Sequence, residues 1–495
     1  MSIDPGLARL RVAGVAMSAA LLSFATALLL DHLFNLTTSS VVLAVVLALT
    51  LGRADRRGHE SALARWLAPI AMPFLVVAST EVGKWMFTHP NFGDTLFAVG
   101  MAAGIWLRRF GPHLRRVGSL VSSAFLAMLV TPAPAVALGS NPPSRWWAAV
   151  IALVALGWLR LVQFLAERIG VLARAEPDPA VPVPVARTRR ADLPWHRQVL
   201  PSTRMSLQMG VALGAAFACG RAAFGVHWTW VVLSAYIVGS GNRGRADVTY
   251  KAVLRIAGAA CGTVVAELVS HSFPPHDDWS IVVLFAVLAV AMWLRPLSYA
   301  YWAAGMTSAL ALLYDFYGEA GTDLLATRLE GILLGASLGV LAAWLVLPIR
   351  NVDAVRRQLA IAFGTVAAVL ASADAQPAFA AAELARFRAA SVAADLAGAS
   401  LRWLRRLPRR LRVGYGYFVA GRALATCAAE LPVADGCRLS LEPDERRMLA
   451  ADVAAARRAL AATAGEEERL RLGETTQRIA EALSSASRGP ATGTA

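Results

Sequence analysis

The sequence predicts an all-α polytopic membrane protein with two parallel repeats of about six transmembrane helices and a C-terminal cytoplasmic helical bundle. The first observation behind this prediction is composition: 57% of the residues are hydrophobic and 16% are charged, whereas about a quarter of a soluble domain is charged. The mean hydropathy of +0.53 agrees with that class. The second observation is that long apolar runs fall into two sets of six, and the third is that landmarks recur between the sets.

The twelve apolar runs are long enough, or nearly long enough, to cross about 30 Å of hydrocarbon. The first set covers approximately 12–31, 37–52, 65–87, 92–108, 117–137 and 146–165. The second set covers approximately 204–224, 228–241, 255–272, 279–294, 298–315 and 328–348. The first run is longer than the apolar core of a signal peptide, which indicates a retained helix.

Landmarks in the two sets recur in the same order at a slowly drifting offset. Arg65 and Arg255 each open an apolar helix after a basic loop and lie 190 residues apart. The segment Ile105-Trp106-Leu107-Arg108 recurs 187 residues later as Met292-Trp293-Leu294-Arg295. Arg145 and Arg328, which open the last helix of each set, are 183 residues apart. This pattern indicates a duplicated membrane unit, and transporters built from two repeats tend to bind their ligand where the repeats meet.

The distribution of basic residues predicts that both termini are cytoplasmic. The loops 52–65, 109–116, 166–203 and 242–254 and the region after Pro348 are basic, whereas the alternate loops carry almost no positive charge. Each half has an even number of spans, so the halves face the same way and form parallel repeats. Membrane topology also explains the net charge of +15 better than nucleic-acid binding does. The expected location is a bacterial inner membrane.

Four segments follow from these patterns. Residues 1–165 form the first transmembrane repeat, 166–203 a Pro/Arg-rich cytoplasmic linker, 204–349 the second repeat and 350–495 a cytoplasmic helical domain. The last of these has apolar residues at helical spacing among Arg and Glu, which is typical of amphipathic helices in a bundle.

The sequence gives no reason to expect catalysis, a cofactor or a metal ion. Neither lysine lies in a GxxxxGK[ST] pattern and HExxH is absent. The GxSxG match at 335–339 lies within an apolar helix, whereas that motif works at a strained strand-to-helix turn. The four cysteines lack the CxxC spacing of a zinc site or redox pair.

Four arginines are the candidate substrate-binding residues. Arg65 and Arg255 are expected at cytoplasmic helix starts, and Arg145 and Arg328 at outer helix starts. One interpretation is that they anchor helices at the headgroups. The other is that they surround an anion path, because arginine grips a carboxylate with two parallel hydrogen bonds. Arg145 and Arg328 favour the second interpretation, since positive charge on the outer side opposes the topology bias.

Two glutamates are candidates for proton coupling. Glu267 follows Arg255 by three turns and therefore falls in the hydrocarbon region, where a carboxylate is costly unless it is paired or protonated. It could carry a coupling proton or serve as a structural partner of an arginine. Glu330 is either a headgroup-level residue or a second proton site, and Glu81 is expected to pair with Lys84 at i, i+3.

Small residues and aromatic residues have more general roles. Glycines at four-residue spacing predict faces where helices pack closely, and these are Gly258 and Gly262 in one helix and Gly331, Gly335 and Gly339 in another. Aromatic residues of the second half are expected mostly in the interfacial belt, with a minority that could stack on an aromatic substrate: Trp228, Trp230, Trp279, Tyr299, Tyr301 and Trp302.

Three stretches of the second half resemble the fusaric acid resistance protein family. The segment around Arg255, Gly258, Gly262 and Thr263 looks like its arginine plus Gly-Thr signature. The segment 328–348, with its arginine, glycine, tryptophan and proline, looks like its closing helix, and 227–235 resembles its second helix. The resemblance is clearest over 204–349 and fainter over 1–165.

The resemblance implies export of aromatic or hydrophobic carboxylic acids, often coupled to protons and sometimes beside a periplasmic adaptor. The leading hypothesis is therefore a secondary efflux transporter of organic anions, with the bilayer and small organic anions as partners and an adaptor or a homo-oligomer as further partners. A gated anion channel is the first alternative, because plant aluminium-activated malate channels look like distant relatives. A membrane scaffold for envelope assembly is the second, motivated by the long C-terminal segment.

Overall fold

The computed structural model describes residues 7–36, 38–51, 62–131, 146–172, 199–241, 244–270, 277–316, 322–371, 377–399, 401, 415–431, 442–461 and 466–488. Within these residues it contains seventeen α-helices and no β-strand, so the all-α prediction is confirmed. The first twelve are α1 (Ala8–Phe34), α2 (Thr38–Leu51), α3 (Ala62–Thr88), α4 (Pro90–Leu107), α5 (Pro112–Val130), α6 (Trp146–Arg168), α7 (Pro201–Phe224), α8 (Thr229–Gly239), α9 (Arg245–Ser270), α10 (Asp278–Leu294), α11 (Tyr299–Phe316) and α12 (Thr322–Leu345). The last five are α13 (Asn351–Ala371), α14 (Pro377–Gly398), α15 (Tyr415–Glu430), α16 (Pro443–Ala461) and α17 (Glu466–Arg488).

Seven helices in the described part are long and apolar enough to cross a membrane, which makes this a multi-pass membrane protein. These segments are Ala8–Phe34, Leu67–Thr88, Trp146–Arg168, Pro201–His227, Arg245–Leu268, Ala326–Leu345 and Asn351–Ala371. Shorter apolar helices are Ser40–Leu51, Thr229–Gly239 and Asp278–Leu294. The count of twelve spans stays a prediction.

Two helices begin earlier than the sequence pattern predicts. Helix α9 begins at Arg245 and α12 at Thr322, so Arg255 and Arg328 lie inside their helices and do not open them. The apolar runs were read as whole helices, but backbone hydrogen bonding continues through the polar turns that precede them. The expectation that these two arginines lie at helix starts is therefore wrong.

The chain divides into two compact units, and the first contains α1–α8, α10–α12 and most of α9. In this unit α1, α2 and α6 contact one another, and so do α7, α8 and α12. Helix α7 packs on α4, and α1 packs on α10. Reciprocal contacts of the first helix of each set with the fourth helix of the other are expected of two-fold related halves; the duplication itself stays a prediction.

The second unit contains the helices that follow Pro348, α13–α17. They surround one apolar core in which Leu359, Phe363 and Phe387 are fully buried. Contacts run from α13 to α14 and α16, from α15 to α14 and α17, and from α16 to α17. The cytoplasmic placement of these helices and the predicted domain boundaries are not tested by the fold.

Candidate anion-binding site

Arg255 is a buried cation in α9 and the strongest of the predicted site residues. It is 3% exposed, and its Nε has no hydrogen-bond partner among the described residues. No carboxylate of that part of the chain interacts with it; the group within electrostatic reach is the phenol of Tyr299. A buried guanidinium is costly when it lacks an anion or a full set of hydrogen bonds.

Close packing of α9 on α11 brings Arg255 to this position. A Cβ on Gly258 would lie 2.5 Å from the carbonyl oxygen of Ala300, and one on Gly262 would lie 2.4 Å from that of Ala304. The Ser308 hydroxyl donates to the Gly262 carbonyl at 2.8 Å. The contact between the helices begins at Gly258, about one turn after Arg255. The guanidinium of Arg255 therefore reaches the first turn of α11.

Tyr299 opens α11 and faces a second arginine as well. Its hydroxyl is buried and has no hydrogen-bond partner in the described part of the chain. It lies within electrostatic reach of both Arg255 and Arg295, and the ammonium of Lys251 lies 5.5 Å from its ring centre. The Arg295 guanidinium lies over the ring of Trp302, 5.3 Å from the ring centroid, which is within the limit of about 6 Å for a cation–π contact. Three cations therefore surround one phenol.

Arg295 lies in the turn between α10 and α11, and burial lowers its pKa to about 10. It therefore stays protonated at neutral pH. Sequence reasoning noted Arg295 as a landmark of the repeat and Tyr299 as a belt residue, and it assigned neither to the site. The signal that was available is that Arg295 precedes an aromatic cluster.

Arg328 is also buried, at 1% exposure, but its environment differs. Its guanidinium stacks over the ring of Trp230 at 4.3 Å, and Nη1 donates to the Thr307 carbonyl at 3.1 Å. Trp230 is only 5% exposed, so the expectation that it belongs to an interfacial belt is wrong. Thr307 follows Tyr299 by eight residues, which places the two arginine positions about 12 Å apart along α11.

The other predicted site residues are less informative. Arg145 lies outside the described residues, and so does the side chain of Arg65, whose backbone belongs to α3. On α9, Glu267 is partly buried twelve residues beyond Arg255; on α12, Glu330 is exposed. Glu81 and Lys84 pair at 3.0 Å, as predicted.

The glycines of α12 lie against α8. A Cβ on Gly335 would lie 2.1 Å from the Val231 carbonyl oxygen, and one on Gly331 would lie 3.0 Å from the Trp230 Cβ. A Cβ on Gly339 would lie 3.3 Å from Val238. This close approach seats Trp230 beneath Arg328, and it gives Gly335 the tightest backbone contact of the three.

A partly buried ion pair that sequence reasoning missed joins α4 to α7. The Arg221 guanidinium donates to both carboxylate oxygens of Asp94, with Nε to Oδ2 at 2.5 Å and Nη2 to Oδ1 at 2.7 Å. Nη2 also donates to the Met86 carbonyl, and the guanidinium stacks over Trp228 at 4.6 Å. The two partners are 127 residues apart, and no periodicity connects them.

An apolar cleft of about 100 Å³ lies between α1 and α2 on one side and α10 and α11 on the other. Its walls are almost entirely aliphatic or aromatic, with Phe24, Val45, Phe285 and Met306 among them and Ser280 as a polar exception. The cleft therefore suits apolar groups and offers an anion no compensating charge.

Comparison with known proteins gives one match. Residues 211–342, from α7 to α12, match the family described as fusaric acid resistance protein-like, which covers Arg255, Arg295, Tyr299 and Arg328. No curated protein and no solved structure matches the chain. Members of the family are membrane transporters and not typically enzymes, which indicates a general role in transport or efflux. Over this segment, about a quarter of the chain, the protein is similar to the fusaric acid resistance protein-like family.

Proposed function

We propose that the protein is a secondary transporter that exports organic anions, aromatic carboxylic acids in particular, from the cytoplasm of a bacterial cell with coupling to protons. Its substrate would contact Arg255 and then Arg328 as it crosses the second half. The burial of Arg255 without a carboxylate partner in the described part of the chain is the observation that carries this proposal.

The physical reason is the electrostatic cost of a buried cation. A charged side chain in the hydrocarbon region is rare, costs several kcal/mol on most scales, and tends to mark a substrate path. A carboxylate would satisfy a guanidinium with two parallel charge-assisted hydrogen bonds. A transported anion would supply that interaction for part of each cycle, which would account for the lack of a carboxylate partner of Arg255 among the described residues.

The arrangement along α11 supports movement between two positions. Arg255 lies beside Tyr299, and Arg328 binds the Thr307 carbonyl about 12 Å farther along the helix. Two cationic positions of this spacing would let an anion pass from one to the next. The reciprocal packing of α7 on α4 and of α1 on α10 supports a path associated with relative motion of the two halves.

Proton coupling requires a titratable carboxylate in the membrane, and Glu267 is the first candidate. It lies on the same helix as Arg255 and is partly buried, whereas Glu330 is exposed. Arg65 and Arg145 stay candidates for the corresponding path in the first half.

The test is uptake of labelled benzoate into inverted membrane vesicles energised with a proton gradient. We expect accumulation that collapses with a protonophore, and loss of accumulation in Arg255→Ala and Arg328→Ala. The matched control is Arg168→Ala, which removes an exposed arginine from the end of α6. Both site variants must be shown to reach the membrane in wild-type amounts.

The other outcomes separate the alternatives. If benzoate equilibrates across the membrane to the same extent with and without the protonophore, the protein is a gated anion channel. Wild-type accumulation by either site variant would remove that arginine from the path. If a panel of organic acids shows no flux at all, transport of these anions is excluded and the scaffold hypothesis gains weight.

A further inference from the structure

We infer that Arg255, Arg295 and Tyr299 form one binding site for the carboxylate of a small organic anion, with Lys251 adding positive potential. The inference extends the proposed function, because it gives the substrate a defined site where it would leave the cytoplasm. It can fail or succeed independently, since binding is measured without flux.

The cluster of Arg255, Arg295 and Tyr299 contains buried hydrogen-bond donors that have no acceptor among the described residues. The Nε of Arg255 and the hydroxyl of Tyr299 are both buried, and neither finds a hydrogen-bond partner among the described residues. Nearly all buried polar atoms in proteins are hydrogen-bonded, so two unsatisfied donors on residues within electrostatic reach of each other need an explanation. An acceptor that binds between them would satisfy both.

An acceptor that binds between these side chains must carry a negative charge. Arg255 and Arg295 both lie within electrostatic reach of the Tyr299 oxygen, and no described carboxylate acts on either arginine. Two partly desolvated cations repel each other, and only an anion between them converts that repulsion into attraction. A neutral ligand or a water molecule would fill the hydrogen bonds and leave the charge uncompensated.

The surrounding side chains indicate that the anion is a carboxylate. The planar face of Arg295 stacks on Trp302 at 5.3 Å, so its N–H edge is available to an oxygen acceptor. The ammonium of Lys251 donates to the Ser240 carbonyl at 2.7 Å. Lys251 therefore adds positive potential to the site but is not expected to contact the anion directly. Two guanidinium edges and one hydroxyl match the two oxygens of a carboxylate, with an aromatic wall beside them for an aromatic acid.

The position of the cluster follows from the topology. The part of α9 around Arg255, the α10 end and the α11 start meet there, and the basic residues of 242–254 assign that side of the helices to the cytoplasm by the positive-inside rule. An anion to be exported would meet this cluster before it reaches Arg328. Anionic lipid headgroups also bind basic pockets on the cytoplasmic side, so the test must separate a free acid from a lipid.

The experiment is titration calorimetry of the purified full-length protein with benzoate, in nanodiscs of phosphatidylcholine alone. We expect saturable binding that Tyr299→Phe weakens about tenfold or more, since a hydrogen bond to a charged group is lost. Arg295→Gln should weaken it at least as much. The matched controls are Tyr301→Phe, which alters an exposed tyrosine two residues away, and Arg168→Gln.

The outcomes divide cleanly. Unchanged benzoate affinity in Tyr299→Phe and Arg295→Gln, with both proteins folded as judged by size-exclusion profile and thermal melting, would overturn the inference. So would benzoate binding that disappears when phosphatidylglycerol is added, because the site would then belong to lipid, and so would inorganic phosphate binding more tightly than benzoate. Benzoate binding that depends on both residues supports the site even where vesicle uptake shows no flux, and in that case only the proposed transport fails.

Discussion

An arginine inside an apolar helix is expensive, and the surroundings of Arg328 and Arg255 compensate it to different extents. Arg328 has an aromatic face and a backbone carbonyl, whereas among the described residues Arg255 has the phenol of Tyr299 within electrostatic reach. Sequence analysis could single out both because charged residues in apolar runs are rare. It could not find their partners: Trp230 looks like any interfacial tryptophan until α8 is packed against α12.

Substitution of the Glu267 carboxylate tests proton coupling at the level of a single residue. Glu267→Gln keeps the size of the side chain and removes its titratable proton, so we expect it to abolish benzoate accumulation driven by a proton gradient while counterflow exchange of benzoate continues. The measurement compares both assays in the same proteoliposomes. Glu167→Gln, which alters an exposed glutamate of α6, is the control. Full accumulation by Glu267→Gln would exclude this residue as the proton carrier.

Between helices, the Asp94–Arg221 pair is the clearest polar link from the first set to the second. The side chain of Asp94 is 12% exposed and that of Arg221 28%, and the geometry is bidentate, so removing one partner leaves the other poorly compensated. We expect Asp94→Asn to destabilise the protein by about 1–3 kcal/mol, less than for a fully buried ion pair. Thermal melting in detergent would show a lower midpoint than that of wild type.

The charge-exchanged double variant Asp94→Arg/Arg221→Asp tests whether loss of the ion pair causes this loss of stability. It restores opposite charges across α4 and α7, so its melting midpoint should rise above those of both single variants. Recovery will be incomplete, because Trp228 and the Met86 carbonyl would then face a carboxylate. A double variant no more stable than Asp94→Asn would show that packing at this position matters and the ion pair does not.

Glycine positions give a second test of helix packing. A Cβ at Gly335 would lie 2.1 Å from the Val231 carbonyl oxygen, so Gly335→Ala forces α12 away from α8. We expect a loss of about 1–3 kcal/mol, as for other overpacked cores. Gly157→Ala in α6, where a Cβ would meet nothing within 4 Å, should leave the melting temperature unchanged or slightly raised. Equal melting temperatures for the two variants would contradict the packing argument.

The helices themselves were largely predictable, because a run of about twenty apolar residues has few alternatives to a helix in lipid. Their starts were not. The polar turn from Arg245 to Lys251 belongs to α9, and only the packing around it shows that the helix continues there. The ion pair of Asp94 with Arg221 was also beyond prediction, since it depends on which helix of one set meets which helix of the other.

For the whole molecule, the open question of topology concerns α13. Its length and composition would allow it to cross a membrane. However, Val355, Leu359 and Phe363 are fully buried in the core that α13 shares with α14–α17. Arg356 donates to the Leu460 carbonyl at the end of α16, so its polar side is also engaged by protein. A helix whose apolar face is already covered gains little from entering lipid.

We therefore expect α13 to be a core helix of the second unit and the C-terminus to share the cytoplasmic side with the N-terminus. Green fluorescent protein fused after Ala495 should fluoresce, and alkaline phosphatase fused there should be inactive. The same reporters fused after Asp277, immediately before α10, should give the opposite result. If α13 crossed the bilayer, the number of spans would become odd, and the phosphatase fused after Ala495 would be active. That result would also place α14–α17 outside the cytoplasm and remove the basis for a cytoplasmic bundle.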